Sequence, residues 1–262
     1  LAATAVYRAD DFFLVQQAWD FGRPWDAFVQ WCSTHLQPRD DPRWPKFYRP
    51  FWHASYFVDA HGFGCRAGLS AAFTWSLHAA TAWVTGSIVW RLTQSAGGRW
   101  LSTWVCLCAA AGSQAVLWTA ARGTTLATLF TMLGVLVAIS APRATARRIA
   151  ALCACIALAA GSNEAGIMAG PLIAWAIWIL PRPTNGTSRR PIWIAALVAT
   201  VAWILWRRFV LGCWIGGYGP VPPGDPLPLR ALTALTSGTG AVALSDNATL
   251  PLALVCVVGG VV

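Results

Sequence analysis

Apolar residues come in long runs over most of this chain. The runs lie near residues 68–91, 100–120, 123–141, 149–161, 165–180, 192–211 and 248–262. A helix that crosses a bilayer needs about 20 such residues, so the pattern predicts a series of transmembrane helices. The fourth and fifth runs are short and are separated by Gly161-Ser162-Asn163-Glu164. They predict a broken or re-entrant pair whose backbone polar groups are satisfied inside protein. The last run, and the apolar stub Leu1–Val6, are each too short to span, so the sequence reads as a fragment: the N-terminal part of a longer protein.

Residues 7–66 follow another rule. Trp25, Phe28, Val29, Cys32 and Leu36 recur at helical spacing, as do Phe12, Val15 and Trp19 over a shorter stretch. Pro24 suits a first helical turn. Short Trp- and Phe-rich amphipathic helices of this kind fit the plane of a membrane interface. Residues 39–50 read as a Pro-rich connector. The expected fold class is therefore all-α: a polytopic transmembrane domain over 67–262, preceded by a segment 1–66. That segment is the end of a truncated first span plus a loop carrying interfacial helices.

Composition sharpens this. The chain has 262 residues, 56% hydrophobic and 11% charged, with a mean hydropathy of +0.53. Soluble domains carry about 25% charged residues. The net charge of +9 comes almost wholly from arginines at the ends of apolar runs, which is how topology is encoded and not the mark of a nucleic-acid binder. Arg91, Arg99, Arg143, Arg147, Arg148, Arg182, Arg189 and Arg190 fall in alternate connections that hold no acidic residue. The positive-inside rule puts those connections in the cytoplasm, and by parity residues 7–66 and Glu164 outside. Arg207 and Arg208 then sit near an outer end and read as snorkelling or phosphate-facing.

Six of the eight cysteines lie in or beside apolar runs and read as small packing residues, while Cys32 and Cys65 are a candidate extracytoplasmic pair. The sequons at Asn185 and Asn247 carry no weight, and no internal repeat is present.

The unusual polar groups assigned to the outer face are Asp10, Asp11, Arg49, Arg122 and Glu164. Carboxylates beside a bilayer are costly and need a reason. Transfer of a sugar from a lipid-linked phosphate fits this set. A carboxylate takes the proton of an acceptor hydroxyl, and guanidinium groups hold the phosphate and the charge it gains on leaving. Against this, the acidic pair also reads as a solvated flank, Arg49 as part of a connector, Arg122 as a headgroup anchor and Glu164 as an ion-pair partner. His78, inside the first complete span, reads as a hydrogen-bonded helix-contact residue, with no second ligand at zinc spacing.

The order of these signals resembles the membrane domain of GT-C-type glycosyltransferases. It is closest to the transmembrane-and-tetratricopeptide-repeat O-mannosyltransferase-like proteins and their bacterial relatives. The family's acidic pair after the first span is matched by Asp10-Asp11. Its Tyr-Arg-Pro stretch is matched by Tyr48-Arg49-Pro50, and its Leu-His by Leu77-His78. Ala115-Val116-Leu117-Trp118, Arg122 and Leu126–Phe130 resemble its next turn and span. Ser162-Asn163-Glu164 resembles its Ser-Lys-Glu break, and Leu211-Gly212 with Gly216-Gly217-Tyr218 its last motif. The likeness covers about residues 8 to 220. The family's His-Pro and following Glu are replaced by Ala109-Ala110 and Gln114, and its Lys by Asn163.

The resemblance implies an integral membrane glycosyltransferase, in a bacterial inner membrane. It would use a polyprenyl-phosphate sugar as co-substrate and an unidentified protein or glycan acceptor, with inversion at the anomeric carbon. Asp10, with Asp11 beside it, is the expected base. Arg49, Arg122, Glu164 and His78 are the expected substrate-binding residues. A divalent metal at Asp10/Asp11 stays open, since some members of the superfamily dispense with one. Two other readings stand beside this one. The lost Lys and Glu suit a non-catalytic scaffold or assembly subunit. The broken span pair suits a transporter of a lipid-linked substrate, although no charge is placed near the midplane.

Overall fold

A computed structural model describes residues 9–20, 25–26, 29–30, 47–108, 118–140, 144–179 and 190–211. Among these residues every regular element is helical and no strand occurs. In chain order they are α1 (Ala9–Asp20), α2 (Pro50–Phe57), a π turn (Val58–Gly62), α3 (Ala67–Thr93) and α4 (Ala96–Cys108). A 3₁₀ turn (Thr119–Ala121) then leads into α5 (Arg122–Ile139), which is followed by α6 (Ala146–Ala160). A second 3₁₀ turn (Glu164–Met168) leads into α7 (Ala169–Ile179), and α8 (Arg190–Leu211) follows.

Among the described residues, two helical stretches are long and apolar enough to cross a membrane, Thr119–Ile139 and Arg190–Leu211. The run expected at 68–91 is a 27-residue helix, but Ser, Thr and His interrupt its hydropathy. The run expected at 100–120 is helical only to Cys108, and residues 109–117 lie outside the described residues. The expected break at 161–164 is present. α6 has 15 residues and α7 has 11, and the two are joined by the 3₁₀ turn. Its backbone is satisfied locally: Gly161 N–H donates to the Ala157 carbonyl at 2.8 Å, and Ala165 N–H to Asn163 Oδ1 at 3.0 Å. The run at 248–262, the stretch 212–247, most of the stripe at 25–36, Cys32 and both sequons lie outside the described residues.

The helices pack as neighbours in space, α4 on α3, α3 on α5, α5 on α6 and α7, and α8 on α6 and α7. Ile and Ala residues of α5 to α8, centred on Ile156, Ile173 and Ala196, form one core. Val84 and Ile88 of α3 meet Leu129 and Met132 of α5 in a second. The polarity of α3 is inverted relative to a soluble helix. Its buried row includes Ser70, Thr74, His78, Thr81 and Thr85, while Trp75, Trp83 and Trp90 face outward. The hydroxyls return to carbonyls one turn back, as in Thr74 to Ser70, Thr81 to Leu77 and Thr85 to Thr81. Small hydroxyl residues let helices approach closely without leaving an unpaired donor. Large apolar side chains are correspondingly outside, with Trp178 77% and Phe209 79% exposed. Of the most apolar stretch of α8, only 22% is buried.

Candidate functional site

The predicted outer-face residues fall at one end of the bundle, and the reason lies in local packing. Val15 and Ala18 of α1 bury against Trp52, Tyr56, Phe57 and Ala60. This docks α1, whose first turn carries Asp10 and Asp11, onto α2 and the π turn. The His61 ring nitrogen meets the Ala18 carbonyl at 3.1 Å, and its ring stacks between Trp19 and Phe57. Pro50 opens α2, a position where its missing N–H costs nothing. Phe51 N–H then donates to the Gly161 carbonyl at 3.0 Å, tying α2 to the end of α6. At Gly123, in the first turn of α5, a Cβ would stand 2.6 Å from the Ser162 carbonyl oxygen and 3.0 Å from Trp52. Only glycine lets α5 approach the α6–α7 break this closely.

Two ion pairs organise this end. Arg49 Nε donates to Glu164 Oε2 at 2.6 Å, and its Nη2 lies against the same oxygen. The Arg49 guanidinium stacks 4.2 Å from the centre of the Phe47 ring and 5.3 Å from that of Trp52. The pair is largely but not wholly buried, with side chains 16% and 24% exposed. Glu164 Oε1 is buried and accepts no hydrogen bond, and the neighbouring indole Nε1 of Trp52 donates none. Tyr48, just before Arg49, accepts from Trp206 Nε1 of α8 at 2.7 Å. Glu164 is thus an ion-pair partner, one of the readings its sequence position allowed. Asn163 bridges instead to α5, with Nδ2 donating to Thr124 Oγ1 at 3.2 Å.

Arg122 requires a correction. The sequence placed it as a guanidinium available to phosphate, yet its side chain is fully buried and all its donors are engaged. Nη1 and Nη2 grip Asp59 in a two-point fork at 2.7 and 3.1 Å. Nε donates to Thr74 Oγ1 at 3.0 Å, Nη2 to Ser70 Oγ at 2.6 Å, and Nη1 to the Ser55 carbonyl at 3.2 Å. A guanidinium has five N–H donors, so none is left for a ligand. The tyrosine and phenylalanine rings of Tyr56 and Phe73 close over it. Asp59 was missed because it read as one more charge of a wet loop. The π turn re-aims it inward, with Phe63 N–H reaching back to the Val58 carbonyl and Cys65 N–H to the Asp59 carbonyl, both at 2.9 Å. A usable signal was present: Asp59 and Arg122 are each a lone charge at the edge of an apolar run, which calls for a partner. Burial raises the Asp59 carboxyl above its ordinary range, opposed by the charge of Arg122 and by hydrogen bonds from Arg122 and Ser70.

His78 is also not gathered at this end. It lies about 12 Å further along α3 than Ser70, at 1.5 Å per residue. Its Nε2 meets the Leu107 carbonyl of α4 at 3.2 Å, so it clamps two helices. His53, which the sequence did not single out, is fully buried beside Trp52 and Tyr56. Burial, with the nearby positive charge of Arg49, holds its pKa well below the usual histidine value. Arg207 is buried near the end of α8 and Arg208 is half-buried. Cys65 is exposed. Among the described residues no group of three or more His, Cys, Asp or Glu is arranged to hold a metal.

No family model matches the chain, and no curated protein and no solved structure is similar to it.

Proposed function

We propose that this chain is an integral membrane protein and acts as a GT-C-like glycosyltransferase at an extracytoplasmic surface. Its donor is a polyprenyl-phosphate sugar and its acceptor a hydroxyl. The reading is supported chiefly by one observation. The helix bearing Asp10 and Asp11 is docked on the segment bearing Arg49, which in turn holds Glu164, although these residues span most of the chain. A large outward apolar surface on α8 and an inward hydroxyl row on α3 are what lipid surroundings favour. From Ser70 to Trp90, α3 rises about 30 Å, the thickness of a hydrocarbon core. The arginine-rich connections then lie at the far, cytoplasmic end.

In the reaction, Asp10 takes the proton from the acceptor hydroxyl. The acceptor oxygen forms a bond to the anomeric carbon. The bond from that carbon to the phosphate oxygen breaks, and polyprenyl phosphate leaves with the electron pair. Arg49, the less buried of the two arginines, is the group that meets the phosphate. Arg122 has no such role and instead holds the frame.

A second reading is favoured by a specific observation. Both candidate arginines are neutralised within the chain, Arg122 by Asp59 and Arg49 by Glu164, which suits a non-catalytic scaffold. The two are separated with the purified protein in proteoliposomes and a panel of radiolabelled polyprenyl-phosphate sugars. Loss of label from the lipid that disappears in Asp10→Asn or Asp11→Asn, at unchanged expression, supports the transferase. Retained transfer by Asp10→Asn refutes its role as base. Absence of turnover with every donor, from folded protein, moves the conclusion to the scaffold.

A further inference from the structure

At the other end of α3, two arginines lie against one indole, and among the described residues neither is ion-paired. Gly86 permits this. A Cβ there would lie 2.7 Å from the Arg99 carbonyl oxygen, so α4 approaches α3 closely at that level. The approach lays the Arg99 guanidinium 4.2 Å from the centre of the Trp83 ring and 5.7 Å from that of Trp90. Arg91, in the last turn of α3, lies 5.5 Å from the same Trp90 ring. Two guanidinium groups therefore share one indole. The chain contains no Asp or Glu between Asp59 and Glu164, and neither arginine is ion-paired among the described residues. Arg99 Nε is buried and donates to nothing.

Like charges on one indole repel each other, and an anion bound between them relieves that repulsion. The indoles supply part of the compensation through their π faces, but they supply no hydrogen-bond acceptor for the guanidinium forks. We propose that Arg91, Arg99, Trp83 and Trp90 form a binding site for the phosphate of an anionic phospholipid. The shared chemistry is a phosphate monoanion, and the surroundings select the lipid as its source. Trp100, Leu101, Trp104 and Val105 of α4 continue from the arginines as an exposed apolar wall, 51–67% exposed, along which acyl chains lie. The site is about 30 Å along α3 from Ser70, at the opposite boundary of the hydrocarbon layer. It depends on the membrane part of the proposed function and not on the glycosyl transfer.

The test is native mass spectrometry of the whole chain released from micelles containing equal phosphatidylcholine and phosphatidylglycerol. The parent protein keeps phosphatidylglycerol selectively. Arg91→Gln, at an exposed position, lowers that selectivity about fivefold, and Arg91→Gln/Arg99→Gln about thirtyfold, on the scale of a basic residue at a lipid surface. Because Arg99 is packed, the Arg91→Gln result carries the test if the double variant does not fold. Arg147→Gln/Arg148→Gln, at the start of α6, leaves the selectivity in place. Undiminished selectivity in Arg91→Gln overturns the site, as does an equal loss in the Arg147/Arg148 control, which would mean general charge attraction. Displacement of the lipid by inorganic phosphate at about 10 mM assigns the site to the free anion and overturns the lipid. A parent protein that stays soluble without detergent refutes the membrane reading itself.

Discussion

Replacing Asp59 by leucine removes a carboxylate that the protein needs for one purpose, to neutralise Arg122. Both side chains are fully buried, and two of the five guanidinium donors end on Asp59. Each buried donor left unsatisfied costs about 1–3 kcal/mol. An unpaired buried charge brings the cost of breaking such a pair to about 3–5 kcal/mol. For a chain of this size roughly 2–4 °C of melting temperature follows each kcal/mol, so Asp59→Leu lowers the midpoint by about 10 °C. Arg122→Met strands Asp59 and costs a similar amount. The double variant Asp59→Leu/Arg122→Met removes both charges and fills the space with apolar atoms, and it recovers most of the loss. Thermal unfolding in detergent, followed by loss of the monodisperse elution peak, measures all four corners of the cycle. If the double variant is as unstable as the two single losses added together, the residues do not act as a pair. A midpoint unchanged in Asp59→Leu would show that the guanidinium is reached by water, contrary to its burial.

His53 gives a pH dependence. Its folded pKa is lowered, so below about 6.5 the unfolded chain binds the extra proton first, and stability falls as pH drops through that value. His53→Gln flattens this slope below about pH 6.5 in the same unfolding measurement. Gly170→Leu forces α7 away from α8, because even a Cβ would stand 2.8 Å from the Ala196 carbonyl oxygen. It costs about 1–3 kcal/mol or more, and an unaltered melting temperature would count against this helix contact. Arg49→Gln and Glu164→Gln each destabilise by about 1–3 kcal/mol, and the double variant by less than their sum. Additive losses would mean that the two groups do not interact.

The sequence revealed the helical runs well, because apolar length is a one-dimensional property. The start of α3 near residue 67, the break at Gly161–Glu164 and the extent of α8 all follow from it. It also revealed that Arg49 and Glu164 belong to one end of the molecule. It did not reveal their direct pairing, which depends on the Phe51–Gly161 hydrogen bond and on Gly123 admitting α5. Arg122 was misread because burial by aromatic rings from two other elements is a tertiary property. Asp59 stood out in sequence only as a charge at the edge of an apolar run, and it is the π turn that aims it inward at Arg122. Residue spacing does not encode the direction in which one irregular turn points a side chain.

The Asp59–Arg122 pair also bears on how the chain is made. The partners are separated by 63 residues, with all of α3 and α4 between them. At about 5–20 residues per second, Asp59 is synthesised roughly 3–13 s before Arg122 exists. During that interval its carboxylate lacks the guanidinium that neutralises it in the folded chain. On the proposed membrane reading, the head of α3 gains its buried partner only once α5 has begun. The ion pair is in this sense a timing device, making the third of these helices the one that fixes the first.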